Sequence, residues 1–315
     1  MKSTNLFPYT SDNKRYHTYS YFLKNKYHQK IFRVPLDAGF TCPNRDNHLG
    51  IMGCSFCSIE GSGDLILRDT LEAQIEDGFK VMRQKWPKGL GMAYFQAYTN
   101  TYDSLENLKK LYDPFFEDDR FVGVIIATRA DCLDEQKIAY FKEMNQKKDL
   151  YIEIGLQSIH PQTNQYINRG HDNQIVTTIV KQLKEANIHT TLHIINGLPF
   201  ETKQMMIETA RYCAQLKVDG IKIHMYQVLK NTLEAYRYKQ KPYPILTQDE
   251  FVDITIDQLR LLPPETVVMR LTGDPVESQI IEPRWTLNKI SVLNQIDKTM
   301  ANQNIIQGDR YEKHQ

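Results

Sequence analysis

Ile31-Phe-Arg-Val-Pro-Leu36 is followed closely by Cys42-Pro-Asn-Arg-Asp-Asn-His-Leu-Gly-Ile-Met-Gly-Cys54-Ser-Phe-Cys57, so an apolar, β-branched run ends in a loop carrying three cysteines. Cys54 and Cys57 form a CxxC hook, and Cys42 lies across a glycine-containing loop. Three thiolates with no fourth cysteine nearby hold three irons of a [4Fe–4S] cube, whereas an electron-transfer cluster takes four protein ligands. An open iron invites a substrate or cofactor to complete its shell, as open positions do in catalytic metal sites. Two other readings compete. A disulfide framework does not suit five cysteines scattered over 315 residues with nothing marking secretion. A structural zinc site would recruit His48 as its fourth ligand. Cys132 and Cys213 lie in apolar surroundings and are expected to be buried small hydrophobes.

Outward from that loop the chain alternates. Strand-like runs occur at 31–36, 91–97, 122–128, 151–155, 190–196 and 220–226, separated by amphipathic stretches at 70–86, 105–116, 134–145, 173–186 and 203–216. Regular β/α alternation implies a parallel sheet with crossover helices. Polar residues gather just after the strands, which predicts an α/β fold, an open (β/α)6 TIM-like barrel with its site at the strands' C-terminal ends. After residue 240 the pattern changes to a helix at 249–262, a short strand at 267–271 and a last helix at 287–302. Three regions follow: an extension over 1–35, a core over 36–240, and a closing extension over 241–315.

The first 35 residues carry seven cations (Lys2, Lys14, Arg15, Lys24, Lys26, Lys30, Arg33) against Asp12 alone, interleaved with Tyr9, Tyr16, Tyr19, Tyr21, Phe22, Tyr27 and Phe32. Cations for phosphate and aromatic faces for stacking are the chemistry of nucleic-acid contact. The alternative is a basic helix whose aromatics pack on the domain. Net charge over the chain is +1 and advertises no such partner. No apolar run approaches membrane-spanning length, and the polar start is not a signal peptide, so a cytoplasmic protein with no membrane partner is expected.

Polar residues at the barrel mouth supply the site candidates. Gln96 and Thr99 follow the second strand, and Thr128 ends the third. Gln157 and Ser158 end the fourth strand, and Arg169 in the loop beyond is able to clamp a carboxylate. His193 belongs to the fifth strand. Trp285 offers a face for a base or a packing surface.

Together, Cys42-Pro-Asn-Arg-Asp with Gly53-Cys-Ser-Phe-Cys57, Ala93-Tyr-Phe-Gln-Ala-Tyr-Thr-Asn-Thr-Tyr102, Gly123-Val-Ile-Ile-Ala-Thr-Arg-Ala-Asp-Cys132, Glu153-Ile-Gly-Leu-Gln-Ser158, Asn168-Arg-Gly-His-Asp172 and Arg270-Leu-Thr-Gly-Asp274 resemble the radical SAM superfamily. The likeness lies in its Elp3-related group, nearest the YtqA/YhcC-like family, and covers nearly the whole chain. The resemblance implies that Cys42, Cys54 and Cys57 bind a [4Fe–4S] cluster. It also implies that S-adenosylmethionine is the second cofactor, touched by Gln96, Thr99, Thr128, Gln157, Arg169 and His193. Gln157 would meet its ribose and Arg169 its carboxylate. The glycine-glycine-glutamate common in the superfamily after strand two is absent, and the 96–101 loop stands there instead. The stretch after the barrel is too short for the acetyltransferase domain of Elp3 proteins, so acetyl transfer is not expected. The family further implies modification of the C5 side chain of tRNA wobble uridine, converting 5-carboxymethylaminomethyl-(2-thio)uridine to the 5-aminomethyl form. Its partners would be tRNA and an electron donor such as flavodoxin or ferredoxin. Alternatives are a radical SAM enzyme acting on a small molecule or protein, and a non-catalytic metal-bearing RNA-binding module.

Overall fold

The computed structural model describes residues 5–50, 52–67, 69–274 and 276–312. Lys2 of the basic segment lies outside them. Helix α1 (Tyr19–Tyr27) precedes strand β1 (Ile31–Leu36), and the alternating core follows: α2 (Leu71–Lys85), β2 (Leu90–Phe95), α3 (Leu105–Glu117), β3 (Phe121–Thr128), α4 (Glu135–Lys147), β4 (Asp149–Gln157), α5 (Pro161–Tyr166), α6 (Asn173–Glu185), β5 (His189–Asn196), α7 (Lys203–Gln215) and β6 (Gly220–Met225). The tail holds β7 (Val228–Leu229), α8 (Leu233–Gln240), α9 (Gln248–Leu261), β8 (Val267–Arg270), β9 (Ile280–Glu282) and α10 (Lys289–Asn302). Side-chain caps mark the helix starts that the pattern predicts. Thr70, Ser104, Asp134, Asp172 and Thr202 each accept a backbone N–H from the first turn of the helix that follows.

The strands β1 to β6 and β8 form one parallel sheet ordered β1-β2-β3-β4-β5-β6-β8, the open β/α arrangement that the alternation predicts. β8 therefore continues the sheet as a seventh strand instead of lying apart in a closing extension, and β1 starts inside the predicted N-terminal segment. Pro35, which has no N–H to give, is tolerated because β1 is an edge strand. The helices cover the outer face, and a continuous apolar core from Phe32 and Val34 through Ile126, Ile154, Leu192 and Ile223 lies between the layers.

The inner face is closed below by α1. Its Tyr19, Phe22, Leu23 and Tyr27 pack with Ile31, Met92, Tyr94, Ile125 and Tyr151, inward residues of the first four strands. Thr18, which caps α1, bridges Val268 at the opposite sheet edge. Three aromatics of the basic segment, Tyr19, Phe22 and Tyr27, thus fill the bottom of the barrel. Its cations are engaged as well: Lys14 with Asp297, Lys26 with Asp149 at 2.6 Å, and Lys30 4.2 Å from the centre of the Trp86 ring. Tyr19, Phe22 and Tyr27 of α1 therefore pack on the domain, while Lys24 is exposed. The N-terminal stretch is also stitched to the chain's far end, where the His17 N–H donates to Gln307 Oε1 at 2.9 Å and Arg15 to Asn304 Oδ1 at 3.0 Å. Among the described residues, no helix is long and apolar enough to cross a membrane.

Candidate active site

The cysteine loop is anchored before any cofactor is considered. Arg45 reaches across it, donating to the carbonyls of Ile59 (3.1 Å), Cys57 (3.1 Å) and Ser58 (2.5 Å). Asn44 donates to Asn168 O at 2.5 Å while Asn168 donates to Gly53 O at 2.8 Å, a reciprocal pair that ties the loop to the segment after β4. Gly170 makes that approach possible: at φ +81° it adopts a conformation costly for other residues, and a Cβ there would sit 2.8 Å from Asn44 Oδ1. The Ser55 N–H adds a bond to Ile167 O at 2.9 Å.

Cys42, Cys54 and Cys57 then line one wall of a cavity of about 540 Å³ that opens at the strands' C-terminal ends. Burial, then the adjacent Cys54, push the Cys57 thiol up to about 11, although Arg45 opposes them. Such a thiol is costly to ionise alone and is deprotonated outright by a metal. Two donors face Cys54: Asn44 Nδ2 lies 3.8 Å and Arg169 Nη1 3.9 Å from its Sγ. Among the described residues, no three or more His, Cys, Asp or Glu side chains converge as a single metal ion requires. His48 is exposed, with its ring 6.3 Å from Tyr102. This donor set fits an iron–sulfur cluster, whose irons each take one thiolate, better than it fits zinc. Cys132 and Cys213 are buried, and burial raises each to about 12.

The other sequence candidates also line this cavity: Gln96, Thr99, Thr128, Gln157, Arg169 and His193. Their present bonds separate them. Gln157 sits at a register shift in β4 with φ +68°, which re-aims its side chain. Gly155 beside it leaves the space, since a Cβ there would meet Gln157 Nε2 at 2.7 Å. Gln96 donates to Ser62 O at 2.7 Å, and the Thr128 hydroxyl is shared with Thr101 at 2.6 Å. Arg169 donates to Gly155 O and faces Cys54, so it stands between cluster loop and cavity. Its main-chain oxygen is held by Arg129 Nη1 at 2.9 Å. Trp285 packs 5.4 Å from Phe251 and donates to Leu246 O, a structural role.

Sequence reasoning missed the cavity floor. Glu153 on β4 is fully buried, and its Oε2 accepts from Lys222 (2.5 Å), Tyr94 (3.0 Å) and His193 (3.0 Å). Burial alone would raise Glu153, but Lys222, His193 and Arg33 outweigh it and hold the carboxyl well below its usual range. Lys222 is itself drawn down to about 7 by burial, against the pull of Glu153. Burial also brings His193 to about 4, so it is neutral at physiological pH. The available signal was a single charged residue inside each of several apolar strands: Arg33, Glu153, Lys222 and Arg270.

Comparison with known proteins agrees with this geometry. The radical SAM superfamily model matches residues 42–213, beginning at Cys42, and the radical SAM C-terminal domain matches 218–302. The chain is 42% identical over 315 residues to uncharacterized protein YtqA of Bacillus subtilis (strain 168), covering 99% of this chain and 98% of that one. It is 22% identical over 182 residues to a tRNA uridine(34) acetyltransferase of Methanocaldococcus jannaschii, covering 57% of this chain and 33% of that one. The solved archaeal Elp3 of Methanocaldococcus infernus superposes with a TM-score of 0.66 at 15% identity, covering 89% of this chain and 64% of that chain, a likeness of fold. With a family model matched over more than half its length and a full-length relative at 42% identity, the chain belongs to the radical SAM superfamily, whose [4Fe–4S] cluster and S-adenosylmethionine its three-cysteine cavity is suited to hold.

Proposed function

We propose that this radical SAM enzyme acts on the C5 side chain of tRNA wobble uridine, converting 5-carboxymethylaminomethyl-(2-thio)uridine to 5-aminomethyl-(2-thio)uridine. The observation that carries the reading is the barrel-mouth cavity, with three thiols on its wall and a charged floor within the same enclosure. The relative named for its action on tRNA uridine(34) supports the substrate class. When bound, the cofactors supply a 5′-deoxyadenosyl radical that removes a hydrogen atom from an unreactive carbon. The chain's own part is to place that carbon and keep out water. Cys42, Cys54 and Cys57 hold the cluster, Gln157 and Arg169 orient S-adenosylmethionine, and Gln96, Thr99, Thr128 and His193 complete the wall. A flavodoxin or ferredoxin in the cytoplasm would provide the electron.

A second reading, a small-molecule or protein substrate, gains from one observation. The aromatic face of α1 is folded into the barrel, and Lys14 and Lys26 are spent on Asp297 and Asp149, which leaves fewer cations of this segment for RNA. Nucleoside profiling of tRNA from a deletion strain decides between them. The proposal requires loss of the 5-aminomethyl branch and accumulation of the carboxymethylaminomethyl form. An unchanged profile would reject it in favour of the second reading.

A further inference from the structure

The floor of the barrel carries more positive charge than its own partners neutralise. Arg33 lies against two rings, its guanidinium carbon 4.3 Å from the centre of Tyr19 and 5.3 Å from that of Tyr94. Its Nε and Nη2 are buried and lack hydrogen-bond partners. Lys222, only 1% exposed, spends two bonds on Glu153 and Tyr94. One carboxylate, Glu153, therefore faces two cations, and it uses a single oxygen to do so, leaving Oε1 unpartnered. Arg270 at the rim is already paired with Asp274 at 2.9 Å.

Buried donors without partners cost free energy, and a buried charge costs more. Both costs fall when an anion of matching shape reaches these side chains from the cavity that Arg33 and Lys222 line. A guanidinium with two free, adjacent N–H groups matches a carboxylate, which it engages through two parallel bonds. The neighbouring rings of Tyr19 and Tyr94 restrict where the fork can move. The cluster-binding cysteines share this cavity, so an anion bound on the floor would have its neighbouring atoms directed up towards the reacting centre.

We propose that Arg33, seconded by Lys222, forms a carboxylate-recognition pocket that holds the carboxymethyl end of the substrate side chain. Glu153 and Tyr94 position Lys222, and His193 completes the ring around Glu153. The identity of the carboxylate's carrier rests on the tRNA reading above; the pocket itself rests on the unpartnered Arg33 donors.

The test uses fragments, so that the two ideas can fail separately. N-methylglycine carries the amine and carboxylate of the proposed side chain, and N-methylglycinamide is its neutral-ended counterpart. Binding of each to the anaerobically reconstituted holoprotein is followed by ligand-observed NMR. N-methylglycine is expected to bind at least tenfold more tightly than the amide, and Arg33→Gln is expected to abolish that preference while retaining iron content. Equal affinity for acid and amide in the wild type would overturn the pocket, and this comparison needs no variant to fold. An acid preference surviving in an iron-loaded Arg33→Gln protein would overturn it too. Conversion of modified tRNA by the wild type is scored independently, so a pocket that binds the acid in an enzyme inert towards tRNA upholds the pocket and rejects only the carrier.

Discussion

Replacing Lys222 by Met tests whether the barrel floor is an ion pair under tension or merely a polar plug. The perturbation removes an ammonium 2.5 Å from Glu153 Oε2 and 2.9 Å from the Tyr94 hydroxyl. Breaking one side of a buried pair costs roughly 3–5 kcal/mol, because the remaining charge is stranded. Glu153 keeps its bonds from Tyr94 and His193, with Arg33 nearby, so the lower end, about 3 kcal/mol, applies here. Unfolding entropy near 2.1 cal/mol/K per residue gives this chain roughly 0.7 kcal/mol/K, and the loss lowers Tm by about 4–5 °C. The measurement is thermal unfolding followed by circular dichroism at pH 6, where Lys222 is protonated. A double variant, Glu153→Gln with Lys222→Met, should recover at least half of the loss, since neither charge then remains to be stranded. A Tm within 1 °C of wild type, or a double variant worse than the sum of the two singles, would refute the reasoning.

Cys42→Ala, Cys54→Ala and Cys57→Ala should each abolish stable iron loading and S-adenosylmethionine cleavage, while Cys132→Ala and Cys213→Ala keep wild-type iron, as read by iron assay and visible absorbance. Arg169→Ala should weaken S-adenosylmethionine binding by roughly tenfold or more with iron retained; unchanged affinity by calorimetry would pass the carboxylate clamp to another cation. Gly170→Ala should cost about 1–2 kcal/mol from its positive φ and release the Asn44–Asn168 clasp, seen as a lowered Tm together with faster iron loss to a chelator. Burial pulls Lys222 below its ordinary 10.5 to about 7, so between those values the unfolded chain binds the extra proton and stability rises with pH. The groups facing Lys222 are Arg33, Tyr94, Glu153, His193, His224 and Arg270. Tm measured from pH 7.5 to 9.5 should climb relative to Lys222→Met, and parallel curves would contradict this.

The alternation of apolar runs and amphipathic stretches places each core strand, and each core helix except the short α5, within a few residues of where it lies, because strands are buried by covering helices that have one apolar face. That the three thiols gather at the barrel mouth was equally legible, since their loop directly follows the first strand. What sequence could not show were arrangements whose meaning depends on strand register. Arg33, Glu153 and Lys222 are far apart in the chain, and only pairing β1 to β2 and β4 through β6 turns them inward to one point. Helix α1 was obscured for another reason. Its lysines and tyrosines alternate too closely for a clean apolar stripe, so the same residues read equally well as an RNA-binding face or a plug. β8 was legible as a strand but not as a sheet member, because a four-residue run says nothing about which edge it joins.

The stitching of residues 14–18 to 268–307 has a consequence for how the molecule is made. Helix α1 is synthesised well before the strand edge that Thr18 bridges and the Gln307 side chain, which receives the N–H of a residue 290 positions earlier, His17. Contacts of such sequence separation are intrinsically slow to form. During most of translation the aromatic face of α1 has the early strands but not its far anchor. The nascent barrel therefore presents an unsealed base until those segments have been made, and folding intermediates with that base open expose apolar surface.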